Sequence, residues 1–136
     1  MLHPEYIAGI VDGEGHLQIV RHTSGSYTPR LTVGSTTKRL LDELAYDLGG
    51  NIYAMKSRNP RAKNAWLWQL SGAPVMELLK RIESLLVVKK TQAQLILAVP
   101  RFHNLDGTRW TATELQTAAA YHSDIVESNR RGAHEG

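Results

Sequence analysis

Glu14 is the side chain in this sequence best placed to do chemistry. It closes the run Tyr6-Ile7-Ala8-Gly9-Ile10-Val11-Asp12-Gly13-Glu14-Gly15, whose spacing suits a helix. Ile7, Ile10, Val11 and Glu14 fall along one stripe, and Ala8, Gly9, Asp12 and Gly13 along the next. Gly15 follows as a helix-ending glycine would. A carboxylate at a helix C-terminus opposes the macrodipole, at a cost of about 0.3–1 kcal/mol. Beside the carbonyls of the last turn it makes instead a site for a hard cation, with oxygen ligands, negative potential and room for water. A surface glutamate in a turn is the plainer reading of Glu14 taken by itself. Gly9 and Gly13 cost roughly 0.8–1 kcal/mol each relative to alanine in a helix. Spaced four apart, they leave a bare stripe along which a second backbone can approach.

The second chemical feature is a segregation of charge. From Gly15 to Leu41 the bases are Arg21, Arg30, Lys38 and Arg39, and there is no Asp or Glu. From Leu48 to Met76 they are Lys56, Arg58, Arg61 and Lys63, again without an acid. All 13 acids lie elsewhere, so a net charge of only +3 conceals two wholly basic blocks, as a polyanion-binding surface requires.

The elements that must position these groups follow in order. Pro4 suits the first turn of the opening helix. After Gly15 the period changes to two. Leu17 and Ile19 oppose His16, Gln18 and His22, and beyond the turn Thr23-Ser24-Gly25-Ser26, Leu31 and Val33 oppose Thr28, Arg30 and Thr32. Ser35-Thr36-Thr37 offers caps for a helix from about Lys38 to Leu48 that Gly49-Gly50 stops. A second hairpin joins Ile52–Lys56 to Ala65–Leu70 through a basic loop. Ile52 and Ala54 take its core side opposite Tyr53 and Met55, and Trp66, Trp68 and Leu70 share a face opposite Leu67 and Gln69. Pro74 opens a helix carrying Val75, Met76, Leu78, Leu79, Ile82, Leu85 and Leu86, and Lys89-Lys90-Thr91 leads into another that ends at Pro100. Thr111-Ala112-Thr113-Glu114 fits a capping box for a last helix whose apolar positions are Leu115, Ala118, Ala119, Ile125 and Val126. The order αββαββα with two further helices is an α+β domain: a four-stranded antiparallel sheet, helices on one face, the other face bare and basic.

The stretch Ile7–Gly15 resembles the signature of the LAGLIDADG homing endonucleases. Ala8, Gly9, Asp12 and Gly15 match it, Ile7, Ile10 and Val11 are apolar replacements, Gly13 stands where Ala or Gly occurs, and Glu14 replaces the usual Asp. The layout agrees over about residues 2–99 of a single 136-residue domain, with a helical extension over about 100–128 and a frayed tail at 129–136. The resemblance implies a strongly curved, saddle-shaped sheet lying along the DNA major groove. One copy of the signature implies the homodimeric type, with Ile7, Ala8, Gly9, Asp12 and Gly13 at the contact between two such helices. It implies Mg²⁺ held by Glu14 and the Gly13 carbonyl, hydrolysis of a phosphodiester in each strand of a long pseudo-palindromic target, and a role in intron homing. Lys89 matches the family's basic residue near the scissile phosphate. Ser35 is nearest to its polar, water-holding residue, where the usual Gln is absent. Contacts to double-stranded DNA fall to the polar sheet face: His16, Gln18, Arg21, His22, Thr28, Arg30 and Thr32 on the first hairpin, Tyr53, Met55 and Lys56 on the second, and Arg58, Arg61 and Lys63 in its loop. The alternative within the same fold is a non-cleaving binder, either a maturase with intron RNA as partner or a regulator of DNA.

Composition narrows the remaining classes. Hydrophobic and charged contents of 42% and 21% suit an ordinary globule. The absence of cysteine removes disulfides, thiolate metal sites and thiol nucleophiles. No apolar run has the length of a membrane span, and Met1-Leu2-His3-Pro4-Glu5 lacks the features of a secretion signal, so an intracellular protein is expected.

Overall fold

A computed structural model of the chain describes residues 2–56, 59–61 and 63–135. The elements are α1 (Pro4–Glu14), β1 (Gly15–Arg21), β2 (Tyr27–Ser35), α2 (Lys38–Leu48), β3 (Asn51–Met55), β4 (Ala65–Ser71), α3 (Ala73–Ile82), α4 (Lys90–Ala98) and α5 (Ala112–Glu135). Short 3₁₀ turns at Glu83–Leu85 and Pro100–His103 flank α4. The strands form one antiparallel sheet in the order β1-β2-β4-β3, so the two hairpins meet through β2 and β4.

Period-two alternation decides the two faces. Leu17, Ile19, Tyr27, Leu31, Val33, Trp68 and Leu70 are buried on one side, in a single core with Ile7, Ala8 and Val11 of α1, Leu41 and Leu44 of α2, and the apolar face of α3. α1 and α3 lie against β2, α2 against β4, and α4 and α5 against β1. All helices thus serve one face, as the sequence pattern requires.

Local chemistry makes the junctions. Gly25, at φ 94°, closes the β1–β2 turn, where His22 N–H donates to Ser26 O at 2.8 Å. Gly50, at φ 89°, lies so close to β4 that a Cβ would meet Gln69 O at 2.5 Å. The same approach lets the fully buried Trp68 donate its Nε1–H to Gly49 O at 2.8 Å. The Thr111–Glu114 capping box forms in both directions: Thr111 N–H to Glu114 Oε1 at 2.7 Å, Glu114 N–H to Thr111 Oγ1 at 3.1 Å.

The C-terminal segment differs from the sequence expectation. The irregular stretch after Pro100 is organised by Arg101, a buried guanidinium that reaches Glu114 at 3.2 Å, Asp106 at 3.2 Å and Thr108 O at 2.7 Å, and lies 5.3 Å from the Trp110 ring. α5 runs from Ala112 to Glu135, and Asn129 Nδ2–H donates to Leu17 O of β1 at 3.0 Å. Val126, expected on the apolar face, is 44% exposed; Ala118 and Ile125 are the fully buried positions.

Candidate metal centre and nucleic-acid interface

The strand register assembles the open face from all four strands. One row reads His16, Thr32, Gln69, Asn51, and the next Gln18, Arg30, Ser71, with Val20 opposite Thr28 further out. A third row, Gly34, Leu67, Tyr53, lies at the other end. No strand contains an acid. Arg30 sits near the middle, its Nε–H donating to Ser71 Oγ at 3.1 Å, which orients the guanidinium along the sheet. At the outer end His22 Nε2 and Thr28 Oγ1 are 2.6 Å apart. Asn51, Gln69 and Ser71 are polar members of this face that sequence reasoning did not select. Gln69 had been set opposite the tryptophans, but which side of β4 was the open one depended on a register between distant hairpins.

Two sequence expectations, Arg21 and Ser35, are corrected by the same alternation. Arg21 pairs with Tyr27 and falls on the side of Leu17 and Ile19, away from the open face. Ser35 shares the side of Val33, and its Oγ accepts the Thr37 N–H at 2.9 Å, so it serves the turn into α2. Ala54 takes the side of Ile52 but is exposed, because β3 is an outer strand with little cover. Tyr53 and Met55 stand on the open face, 48% and 43% exposed. Lys56 follows the end of β3 and is exposed, as are Arg61 and Lys63 in the loop; Arg58 lies outside the described residues.

Glu14 is the last residue of α1, exposed, at the end of the helix where β1 begins. The last turn contains no basic side chain, and the Gly15 N–H is spent on Val11 O. The carbonyls of that turn, Gly13's included, have no donor ahead of them in the helix. Among the described residues no three His, Asp or Glu side chains converge. One chain therefore offers a divalent cation one carboxylate and helix-end carbonyls: a donor set of the right chemistry, half complete.

Asp12 is placed otherwise than expected. Its carboxylate accepts the N–H groups of Val87 at 2.9 Å, Val88 at 3.1 Å and Lys89 at 3.0 Å, joining the end of α1 to the start of α4. It belongs to this internal joint and is not available to a helix contact between copies. Lys89, the residue before α4, is thereby held at the head of the sheet. Partial burial of the ring, and next the Lys89 ammonium, push the His16 imidazole below its ordinary pKa.

Ile7 and Ala8 are also corrected: at 1% and 3% exposure they belong to this chain's own core. The exposed residues of α1 are Glu5, Tyr6, Gly9, Gly13 and Glu14, with Ile10 at the margin. A Cβ built on Gly9 or Gly13 would meet nothing within 4 Å. On α1 and the segment joined to it, Tyr6 is 46% exposed, Leu85 39%, Val87 82% and Val88 64%.

No protein-family model and no curated protein matches the chain. Solved structures do. I-CvuI, a homing endonuclease in complex with its target in the presence of Ca, is similar over 92% of this chain and 80% of its own, at 22% identity and a TM-score of 0.70. I-Vdi141I, an archaeal intron-encoded homing endonuclease complexed with DNA, is similar over 92% and 82%, at 17% identity and a TM-score of 0.72. I-GzeII, a LAGLIDADG homing endonuclease in complex with its DNA target, gives a TM-score of 0.67 at 15% identity, over 90% of this chain but 44% of its own. This is the LAGLIDADG homing-endonuclease fold. In it the signature-like stretch Ile7–Gly15 is α1 together with the first residue of β1. After the two hairpins and their helices, α5 packs along β1. Among the described residues no helix is long and apolar enough to cross a membrane.

Proposed function

We propose that this chain is a homing endonuclease that binds double-stranded DNA across its open sheet face and, as a homodimer, cuts one phosphodiester in each strand of a pseudo-palindromic site. The observation that carries the reading is the joint at the head of the sheet. Asp12 ties the Lys89 backbone to the helix turn that bears Glu14, at one end of a sheet face whose strands contain no acid.

Each part has a physical task. Arg30 is placed for a bidentate contact to guanine, and Gln18 and Gln69 for contacts to adenine, while loop residues Arg61 and Lys63 meet phosphates. Glu14 and the Gly13 carbonyl would hold Mg²⁺, which when bound polarises the phosphate and makes a water more acidic. The Lys89 ammonium stabilises negative charge developing on the phosphate oxygens. His16, first in its row, is able to orient a water or a base edge.

A second copy completes the donor set. Two α1 helices meeting along Gly9 and Gly13 would bring two Glu14 carboxylates to one place, where divalent cations relieve their repulsion. Three features support this: the open space beside both glycines, the uncovered Tyr6, Val87 and Val88, and the chain's span of less than half of I-GzeII.

The test is a randomised duplex library incubated with Mg²⁺, with the cut ends sequenced, for wild type and Glu14→Gln. Wild type is expected to yield paired cuts in a two-fold symmetric site. The variant is expected to lose cleavage and keep DNA binding within a few-fold, since phosphate contacts dominate affinity. Cutting by Glu14→Gln at the wild-type rate would exclude Glu14 as the ligand, and an asymmetric site would exclude the homodimer.

A further inference from the structure

We propose that Asp12 is the positioning residue of the cleavage centre, setting where Lys89 stands relative to Glu14. The inference rests on the nuclease reading above and deepens it. A lysine at a helix N-terminus is electrostatically misplaced, because the macrodipole is positive there; Lys89 immediately precedes α4 and Lys90 is its first residue. Glu14 is misplaced in the opposite sense, at the negative end of α1. Helix propensity and dipoles favour neither placement, so something else must hold them.

Asp12 does so through backbone. α4 receives no capping bond from the side chain of its own preceding residue, and three N–H groups at and before its start would otherwise look for acceptors. The Asp12 carboxylate takes all three, Oδ2 from Val87 and Oδ1 from Val88 and Lys89. It is favoured there, since an anion belongs at a helix N-terminus. Asp12 and Glu14 are about 200° apart around the helix and about 3 Å apart along it. One turn of α1 thus points one acid into the α4 joint and the other outward, with no flexible element between them. The link is across 77 residues of sequence yet a single hydrogen bond in space.

The arrangement predicts a dependence of one residue on the other. Single-turnover cleavage by Asp12→Ala should fall about tenfold or more, as misplacement of a reacting group by about an ångström does. Lys89→Ala should fall comparably, and the double variant should be no slower than the slower single one, because Asp12 acts through Lys89. DNA affinity should stay within about threefold. Asp12→Asn keeps one acceptor oxygen for Val88 and Lys89 and loses that for Val87, so it should lie between wild type and Asp12→Ala. If Asp12→Ala does not fold, the Asn variant carries the same cycle. Losses that multiply in the double variant, or an Asp12 variant that cuts at the wild-type rate, overturn the inference while leaving the nuclease reading intact. A wild-type chain that cuts no duplex overturns both.

Discussion

Gly9→Ala has opposite effects on one chain and on two. In a single chain the new methyl meets nothing within 4 Å, and the residue is in the middle of α1. Replacing a helical glycine by alanine then stabilises the fold by about 0.8–1 kcal/mol. For a chain of this size that raises the melting temperature by about 4 °C. If α1 meets its copy along this stripe, the same methyl enters the contact twice. Overpacking costs about 1–3 kcal/mol, which weakens the dimer about fivefold or more. The expected result is a change of sign with concentration: the variant melts above wild type where both are monomeric and below it where wild type is dimeric. Sedimentation equilibrium supplies the dimer constant, and thermal melts across the same concentrations supply the rest. If alanine raises the melting temperature at every concentration and leaves the dimer constant unchanged, the outward stripe of α1 is not where copies meet.

Arg30→Ala should weaken binding to the preferred site by about 1–3 kcal/mol and relax the base preference at one position in each half-site, read by binding selection on a library; a uniform loss over all sequences would make Arg30 a phosphate contact instead. Thr108 and the Arg101 charge hold Asp106 below the usual carboxylate range, and the Thr111 N–H, with Arg101, does the same for Glu114. Their stabilising contribution is present above the ordinary carboxylate pKa and is lost as pH falls through the lowered values. Arg101→Met should therefore lower the melting temperature at neutral pH, with the gap to wild type narrowing below about pH 4; a constant gap would show that Arg101 acts by packing alone.

The first hairpin was legible in the sequence because its two faces differ in kind: Leu17, Ile19, Leu31 and Val33 permit only one register with their side inward. The second hairpin was half legible. Trp68 and Ile52 defined a core side, but the open side of β4 acquires meaning only when Gln69 pairs with Thr32 and Asn51, and pairing between hairpins leaves no mark on local periodicity. Glu14 was readable from its conflict with the helix dipole. Asp12 was not, because its partners lie some 75 residues away and are backbone groups that carry no sequence signal. Ile7 and Ala8 were assigned to a contact between copies, yet a helix packed on a sheet needs its bulkier stripe for its own core. The polar end of α5 has no apolar period; a bond from Asn129 to the sheet holds it there.

That bond from Asn129 has a consequence for how copies of this chain can meet. β1 and β3 are the outer strands, and an outer strand offers a row of peptide groups on which a foreign strand can template. β3 is only five residues long and is followed by Lys56. β1 is longer, and it is guarded by a side-chain amide that occupies one of its outward carbonyls, with α5 packed alongside. A chain cut before Asn129 would keep its core and lose that guard. Side-by-side strand addition would then compete with helix-to-helix pairing, and the product would be open-ended aggregates in place of a closed two-fold assembly.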